Sequence, residues 1–336
     1  MTAVVTAVVA GVGRSRFSRR SGATEMSLAA QAIAAALRDA KLAPRDVDGV
    51  VRFDRDALWE YDLPGVCGIT NLGFYNAVPA GPGGAPALLR MAAMAITEGL
   101  ASVVLCHHAR DGVARTVPPP AVEAAWLARL QRVNEADVAS TTLAHRRAAA
   151  RNPSALVRKP LSAADRRKHP YLAEPIRGVD LAVPSAGACA FVVTAAERAR
   201  RPAPRILGSM QVAIPSLVRQ PSEWLAAAPL EQIGRGAKAM FAAARVRPGD
   251  VGVACLHADA SPLVPIAVKV YRVATARVNP HGGQLCEAAL DGVNDVAEAV
   301  RQLRGDAASP VRGVRVALAA GSLLEPTSAV LLGRPS

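Results

Sequence analysis

An α/β fold made of two copies of one strand-helix-strand-helix-strand unit is predicted by three observations on this 336-residue sequence. The first is a phrase used twice. AALRDAKLAPRDVDGVV (35–51) aligns with FAAARVRPGDVGVACL (241–256), pairing Ala40 with Ala244, Pro44 with Pro248, Asp46 with Asp250 and Val47 with Val251. The second is an echo of helix then strand, GGAPALLRMAAMAITEGLASVVLCHHA (83–109) followed later by GVNDVAEAVRQLRGDAASPVRGVRVALAAGS (292–322). The third is composition: 51% of residues are hydrophobic but only 4% aromatic, so Ala, Val and Leu must build the interior. That mixture suits helices packed closely on a buried sheet.

Taken in order, TAVVTAVVA (2–10) reads as a buried strand ending at Gly11 and Gly13, where a tight turn can bring backbone near another element. SLAAQAIAAALRDAK (27–41) has apolar residues at helical spacing behind a Ser cap, and LAPRDVDGVV leads into a second strand. In the second copy the opening strand is RILGSMQVAI (205–214). Between the copies, the Pro-rich ARTVPPPAV (114–122) and an amphipathic helix from about Asn134 to Arg151 form an insertion suited to covering a pocket. The expected division is an N-terminal half over 1–110, an inserted region with the last strand of that half over 111–200, and a C-terminal half over 201–336.

The formal charge of +13 invites a nucleic-acid reading, which requires a clustered basic face and aromatic platforms. Neither is evident, because the arginines are scattered along helices. A basic surface also favours a polyanionic small molecule such as coenzyme A, or an acidic partner. The five cysteines (Cys67, Cys106, Cys189, Cys255, Cys286) show no CxxC pair and no metal-ligand spacing, which fits a reducing cytoplasm. No run of about eighteen apolar residues escapes interruption by charge, Gly or Pro, and the N-terminus lacks the arrangement of a signal peptide, so no membrane span is expected.

Specific phrases resemble the thiolase superfamily, and within it the bacterial lipid-transfer proteins related to the sterol carrier thiolase. GVGRSRFSRR with SLAAQAIAAALRDAKLAPRDVDGVV is similar to the opening of both groups. AHRRAAARNPSALVRKPLSAADRRKHPYLAEPIRGVDLAVPSAGACAFVVTAAERAR (144–200) is similar to the lipid-transfer branch in its Arg-x-x-Ala-x-x-Asn-Pro-x-Ala run and its closing Ala-rich strand. VNPHGGQL and EAVRQLRG match the family's NPxGG loop and the helix after it. The resemblance covers nearly the whole chain. It implies a layered α-β-α-β-α thiolase fold and an acyl thioester substrate, with no tightly bound cofactor. It also implies a homodimer, or a heterodimer with a second thiolase-like subunit, and a small partner with an OB fold and a zinc ribbon.

Thiolase chemistry needs a Cys nucleophile, a His and a second Cys. By position the nucleophile's place is Pro82, flanked by Gly81, Gly83 and Gly84. The His position falls on Ala289, and the second Cys on the Ala-Gly-Ser of LAAGSLLEP (318–326). All three groups are absent. One position survives: CLHADAS (255–261) places His257 on the lipid-transfer branch's His, although the Asp that follows there is Ala258 here, with Asp259 one step later.

The candidate catalytic residues are therefore His257 and His281, the latter inside the NPHGG loop, facing either the pocket or the solvent. A neutral imidazole can accept a proton from a β-hydroxyl in a retro-aldol step. Backbone amides at Gly83, Gly84, Gly282 and Gly283 are candidates to hold the thioester oxygen, and Arg147, Arg151 and Arg158 to meet coenzyme A phosphates. Cys286 and Cys189 read as core. His107 and His108, at the end of SVVLC, read first as packing residues. Two functions are carried forward: an enzyme that makes or breaks a carbon-carbon bond in an acyl thioester without a Cys nucleophile, of retro-aldolase or Claisen type, and a non-catalytic protomer that scaffolds an active homologue or partner.

Overall fold

A computed structural model describes residues 5–112, 120–213, 223–324 and 326–335. The N-terminal copy runs β1 (Ala7–Arg14), α1 (Glu25–Ala40), β2 (Gly49–Phe53), α2 (Leu63–Cys67), β3 (Phe74–Val78), α3 (Ala85–Thr97) and β4 (Val103–Asp111). An insertion follows, with α4 (Pro120–Leu130), α5 (Glu135–Ala150), α6 (Ala163–Lys168) and a small hairpin, β5 (Tyr171–Ala173) with β6 (Ile176–Arg177), before β7 (Ala186–Ala195) closes the copy. The second copy runs β8 (Arg205–Val212), α7 (Glu223–Ala244), β9 (Val251–Leu256), α8 (Leu263–Tyr271), β10 (Arg277–Val278), α9 (Gly283–Cys286), α10 (Val293–Arg304), β11 (Val316–Ala320) and β12 (Thr327–Gly333).

The two copies pair their strands in the same order. The sheet reads β10-β9-β11-β12-β8-β1-β7-β4-β2-β3, so β3-β2-β4-β7-β1 mirrors β10-β9-β11-β12-β8 strand for strand. β2, β3 and β4 are mutually parallel, as are β9, β10 and β11, while β7 and β12 run antiparallel to their neighbours. The halves meet at an antiparallel β1–β8 bridge, where Val8 faces Arg205.

Side chains alternate along each strand between two cores, as the pleat requires. Val51, Phe53, Val104, Phe191, Val253, Ala317 and Val330 join a central core with α3 and α10. Val50, Leu105 and Val192 turn outward onto α1, while Leu256, Leu318 and Leu331 turn outward onto the layer of α7 and α8. Both α3 and α10 touch strands of both halves, so five layers alternate from α1 to α7. Arg304, at the end of α10, fastens the layers: it donates to Asp39 Oδ2 (2.6 Å) on α1 and to the Val9 and Ala10 carbonyls (2.9 Å each) on β1.

The repeated Pro-x-Asp-Val phrase is a helical turn of three residues, Pro44–Asp46 and Pro248–Asp250, ahead of β2 and β9. In each, the Asp carboxylate accepts from the backbone N–H three residues earlier, Ala43 at 2.8 Å and Arg247 at 2.9 Å. This local capping needs only its own few residues, which is why it can be read from sequence.

Gly11 and Gly13 do not end the first strand, as expected from sequence; β1 continues through both to Arg14. Their function is close packing, since a Cβ at Gly11 would lie 2.3 Å from the Ala36 carbonyl oxygen and one at Gly13 2.2 Å from that of Ala32. The strand begins at Ala7 rather than near residue 2, and residues 1–4 lie outside the described residues, as do 113–119 of the Pro-rich stretch and residue 214 at the end of the expected eighth strand. No helix among the described residues is long and apolar enough to cross a membrane.

Candidate active site

The C-terminal ends of β9, β10 and β11 meet the first turn of α10, the usual place for ligands in an open parallel sheet. The NPHGG loop is fixed there by Asn279. Its backbone adopts φ 42°, and its side chain continues the sheet by accepting from Leu256 N–H (2.7 Å) and donating to the Leu256 carbonyl (2.9 Å). Nδ2 also faces His145 Nε2 (2.9 Å), while His145 Nδ1–H donates to the Thr141 carbonyl (2.9 Å). Burial and the neighbouring His281 push His145 down to about 4, so it stays neutral and accepts from Asn279. Gly282 and Gly283 have φ of 103° and 56°, and a Cβ on Gly282 would lie 2.8 Å from Ala149 Cβ, so α5 of the insertion packs directly on the loop.

His281 faces neither open solvent nor an open pocket: it is 2% exposed. Nε2 lies 2.9 Å from Asp295 Oδ1 and 3.8 Å from Glu287 Oε2, and Nδ1 has no hydrogen-bond partner. Asp295 also accepts from Gln284 Nε2 (2.7 Å), and its Oδ2 stands 3.9 Å from His257 Nδ1. One carboxylate at the start of α10 thus serves both predicted histidines.

His257 N–H donates to the Ala320 carbonyl (2.9 Å), which fixes its backbone to β11. Its ring is buried, 3.3 Å from Asp259 Oδ1, yet neither ring nitrogen makes a hydrogen bond of acceptable geometry.

Burial alone would lower both histidines. The surrounding carboxylates reverse it: Asp259 and Asp295 push His257 up to about 9, and Glu287 and Asp295 do the same for His281. The neutral imidazole expected from sequence is therefore not the form these sites favour at neutral pH. As imidazolium ions they donate hydrogen bonds and stabilise negative charge.

Two of the three lost thiolase positions, Pro82 and the stretch 320–322, meet in one place. Pro82 O accepts from Ser322 N–H (3.1 Å), and Ser328 Oγ donates to Gly83 O (2.6 Å). Gly83 and Gly321 touch backbone to backbone, since a Cβ on Gly321 would lie 2.7 Å from Gly83 Cα. At Gly292, a Cβ would stand 3.5 Å from His257 Nδ1 and 3.8 Å from Pro82 O, which places the nucleophile's position beside His257. Ala289 N–H donates to Ser185 Oγ (2.9 Å). The frame of a thiolase site is assembled with none of its three reactive side chains.

Sequence reasoning treated His107 and His108 as packing residues. His107 fits that description: it is fully buried, neither ring nitrogen makes a hydrogen bond among the described residues although Nδ1 stands 3.7 Å from Asp56 Oδ2, and burial lowers it to about 4. His108 lies instead in a buried chain, with Nδ1 2.6 Å from Asp56 Oδ1 and Nε2 3.1 Å from Asp291 Oδ2. Asp291 also accepts from Arg110 Nη1 (2.8 Å). Against burial, Asp56 and Asp291 push His108 up to about 9, and Asp291, despite burial, is held down to about 2 by His108 and Arg110.

Of the four glycine amides, two are already committed within turns, Gly84 to the Gly81 carbonyl and Gly282 to the Asn279 carbonyl, both at 3.0 Å. Arg147, Arg151 and Arg158 are exposed on and just beyond α5. All five cysteines are free, and burial pushes Cys189 and Cys286 up to about 12, far from a thiolate nucleophile.

No family profile matches the chain. It is 32% identical to the 17-hydroxy-3-oxo-4-pregnene-20-carboxyl-CoA lyase of Mycobacterium tuberculosis, over 97% of this chain and 99% of that protein. It is 30% identical to the steroid side-chain-cleaving aldolase of Thermomonospora curvata, over 97% of each. Among solved structures, the Ltp2-ChsH2(DUF35) aldolase superposes with a TM-score of 0.90 at 28% identity, covering 98% of both chains. Human mitochondrial 3-ketoacyl-CoA thiolase superposes at 0.78 with 14% identity over 98% of this chain and 99% of that one, a likeness of fold alone. Nearly full-length similarity and a thiolase frame without its thiols agree: the chain belongs to the thiolase-like lipid-transfer family that contains the steroid side-chain-cleaving lyases.

Proposed function

We propose that this protein is a retro-aldolase of β-hydroxyacyl-CoA thioesters. The observation that carries the reading is the full-length relationship to two carbon-carbon lyases, combined with a thiolase frame in which Pro82 stands at the nucleophile's place. The name 17-hydroxy-3-oxo-4-pregnene-20-carboxyl-CoA describes a hydroxyl two carbons from the thioester carbonyl carbon. Cleaving such a substrate requires no acyl-enzyme. It requires removal of the hydroxyl proton, stabilisation of the thioester enolate, and protonation of its carbon.

His257 is the residue proposed to stabilise the enolate. It lies beside Pro82 and Gly292, neither ring nitrogen makes a hydrogen bond among the described residues, and the carboxylates of Asp259 and Asp295 favour the cation. A fixed donor at a developing oxyanion contributes ~10²–10³-fold to the rate. His281, bonded to the same Asp295, is proposed to hold that carboxylate in place, and Gly83 remains the candidate backbone donor on the opposite side. Arg147, Arg151 and Arg158 would meet the coenzyme A phosphates as they enter over α5.

The Ltp2-ChsH2(DUF35) aldolase is named as a pair, which supports a DUF35-type partner here, expected to carry the OB fold and zinc ribbon. A second thiolase-like subunit has a ready surface. β3 ends the sheet, its outer edge without a strand neighbour among the described residues, and Tyr75 on it is 66% exposed. The five free cysteines suit a reducing cytoplasm.

The test is to incubate the purified chain, alone and with a DUF35-type partner, with 17-hydroxy-3-oxo-4-pregnene-20-carboxyl-CoA and simpler β-hydroxyacyl-CoA thioesters. The expected products are a carbonyl compound and a shortened acyl-CoA, identified by mass spectrometry. His257→Ala should lower kcat by ~10²-fold with little change in folding. Absence of turnover with every thioester and partner would leave the scaffold function in its place.

A further inference from the structure

The proton of the substrate hydroxyl still needs an acceptor, and the two predicted histidines are poorly suited to that role. His257 is assigned to the enolate, and His281 Nε2 is committed to Asp295 at 2.9 Å. A separate assembly of buried groups lies at the tips of β2 and β4, and nothing in the thiolase frame accounts for it.

We propose that Asp291 is a catalytic residue that takes the substrate's β-hydroxyl proton, and that His108 and Asp56 are positioning residues that complete a proton relay behind it. This rests on the retro-aldolase reading above. The geometry is that of a His-carboxylate pair with a second carboxylate at the outer end. Asp56 is buried and anchored, its Oδ2 accepting from Phe53 N–H (3.1 Å). Its Oδ1, 2.6 Å from His108 Nδ1, selects the tautomer with hydrogen on Nδ1, which turns the Nε2 lone pair toward Asp291.

Asp291 is the member of the chain that reaches the outside. Its side chain is 14% exposed, against 4% for Asp56 and 6% for His108. Its backbone has φ 51°, a conformation rare for residues other than Gly and Asn and imposed by the turn before α10. Leu290 N–H, donated to Gln284 Oε1 (2.9 Å), and Gly292, φ 87°, hold that turn on either side. Gly292 is the residue next to both His257 and Pro82, so the carboxylate lies one residue from the proposed enolate site.

A cleft of about 1250 Å³ lies at the end of β4, lined by Arg19, Arg20, Asp111 and Pro184 among others.

The step balances without any co-reactant. The hydroxyl proton passes to Asp291 and through it to Nε2 of neutral His108, while the oxygen's electron pair forms the carbonyl. The bond between the carbinol carbon and the carbon next to the thioester breaks, and its electron pair becomes the enolate held at His257. The same proton then returns to the enolate carbon, releasing the shortened acyl-CoA.

The reacting form has His108 neutral. The charged groups around it are Asp56 after β2, Asp291 before α10, Arg110 and His107 on its own strand, Arg52 at the end of β2, and His257 beyond Asp291. The two carboxylates dominate, so the rate should climb with pH along an alkaline limb toward 9 and fall beyond it, where His257 loses the proton that steadies the enolate.

The test measures kcat and KM against pH for the full chain, with its partner if turnover requires one. Asp291→Asn suits the turn, because Asn tolerates the left-handed backbone. It should lower kcat by ~10²–10⁴-fold with KM within about threefold. His108→Gln should lower kcat and abolish the alkaline limb, while Asp56→Asn should shift that limb to lower pH. Asp291→Glu provides a second variant at the outer position and should recover part of the rate lost in Asp291→Asn.

A wild-type enzyme that turns over while Asp291→Asn stays within about threefold of it in kcat overturns the relay and leaves the retro-aldolase standing. An unchanged alkaline limb in His108→Gln does the same. Absence of turnover by the wild type overturns both.

Discussion

The two central helices occupy matching places in the two copies, yet α3 is buried entirely through apolar side chains while α10 buries Asn294, Asp295, Glu298 and Gln302 beside its valines. Each helix starts from a glycine turn at the ends of parallel strands, Gly84 before α3 and Gly292 before α10. In the first copy the turn is closed by the Gly321 backbone and the Ser328 hydroxyl, whereas in the second it gathers Gln284, Glu287 and two histidines around one carboxylate. The duplication therefore set a common frame, and the copies divided its uses. One helix start became packing, and the other kept the polar groups.

That division predicts unequal consequences for deletion at matched depth. Asp295→Ala leaves two buried imidazolium groups without their shared carboxylate and should cost about 3–5 kcal/mol. Leu88→Ala on α3 opens a cavity and should cost about 2–5 kcal/mol. The informative difference lies in pH. The Asp295 loss should shrink above pH 9, where both histidines are neutral, while the Leu88 loss should not, by denaturant unfolding at pH 7 and 9.5. Equal pH behaviour would break the distinction between the helices.

The same histidines set the stability profile of the wild type. His108, His257 and His281 have folded values raised to about 9 from an ordinary 6.5, so their contribution is full below 6.5 and is lost as pH rises through about 9. His107 and His145 are lowered to about 4, so their contribution is full above 6.5 and is lost as pH falls toward 4. Thermal midpoints should be highest near 6.5 and fall on both sides, and His281→Gln should flatten the alkaline side and, by relieving His145, soften the acid side.

The smallest effect belongs to the exposed arginines. Replacing Arg147, Arg151 and Arg158 together by Ala should raise KM for a coenzyme A thioester about fivefold, roughly 1 kcal/mol, leave kcat unchanged, and matter less as salt rises. A change in kcat would move them from the entrance to the chemistry.

How much of this was legible in the sequence depends on distance along the chain. The Asp46 and Asp250 turns and the NPHGG loop are local, and the repeat that reveals the fold is a comparison of such local phrases. The histidines at 257 and 281 were found because each lies in a recognisable phrase. Their state was not, because it depends on how folding aims the carboxylates, Asp259 and Asp295 at His257 and Glu287 and Asp295 at His281. Asp56, His108 and Asp291 had no such signal: the first two are 52 positions apart and the last two 183, so only folding brings them together. Gly11 and Gly13 were misread as a turn because a glycine that ends a strand and one that admits a helix look the same in sequence.

The contact between Gly83 and Gly321 has a consequence for how this chain can change. A Cβ on Gly83 would stand 1.9 Å from the Pro326 carbonyl oxygen, and one on Gly321 would stand 2.8 Å from that of Gly83. A side chain at either position is thus excluded by main chain of the facing loop, Pro326 for Gly83 and Gly83 for Gly321, and neither can be accommodated by a rotamer shift. The two loops are epistatically locked, so that any return of a bulky or reactive residue to one glycine requires the opposing loop to move first. Single substitutions at either glycine are then closed off, and further adaptation is channelled to α10 and the strand tips around it.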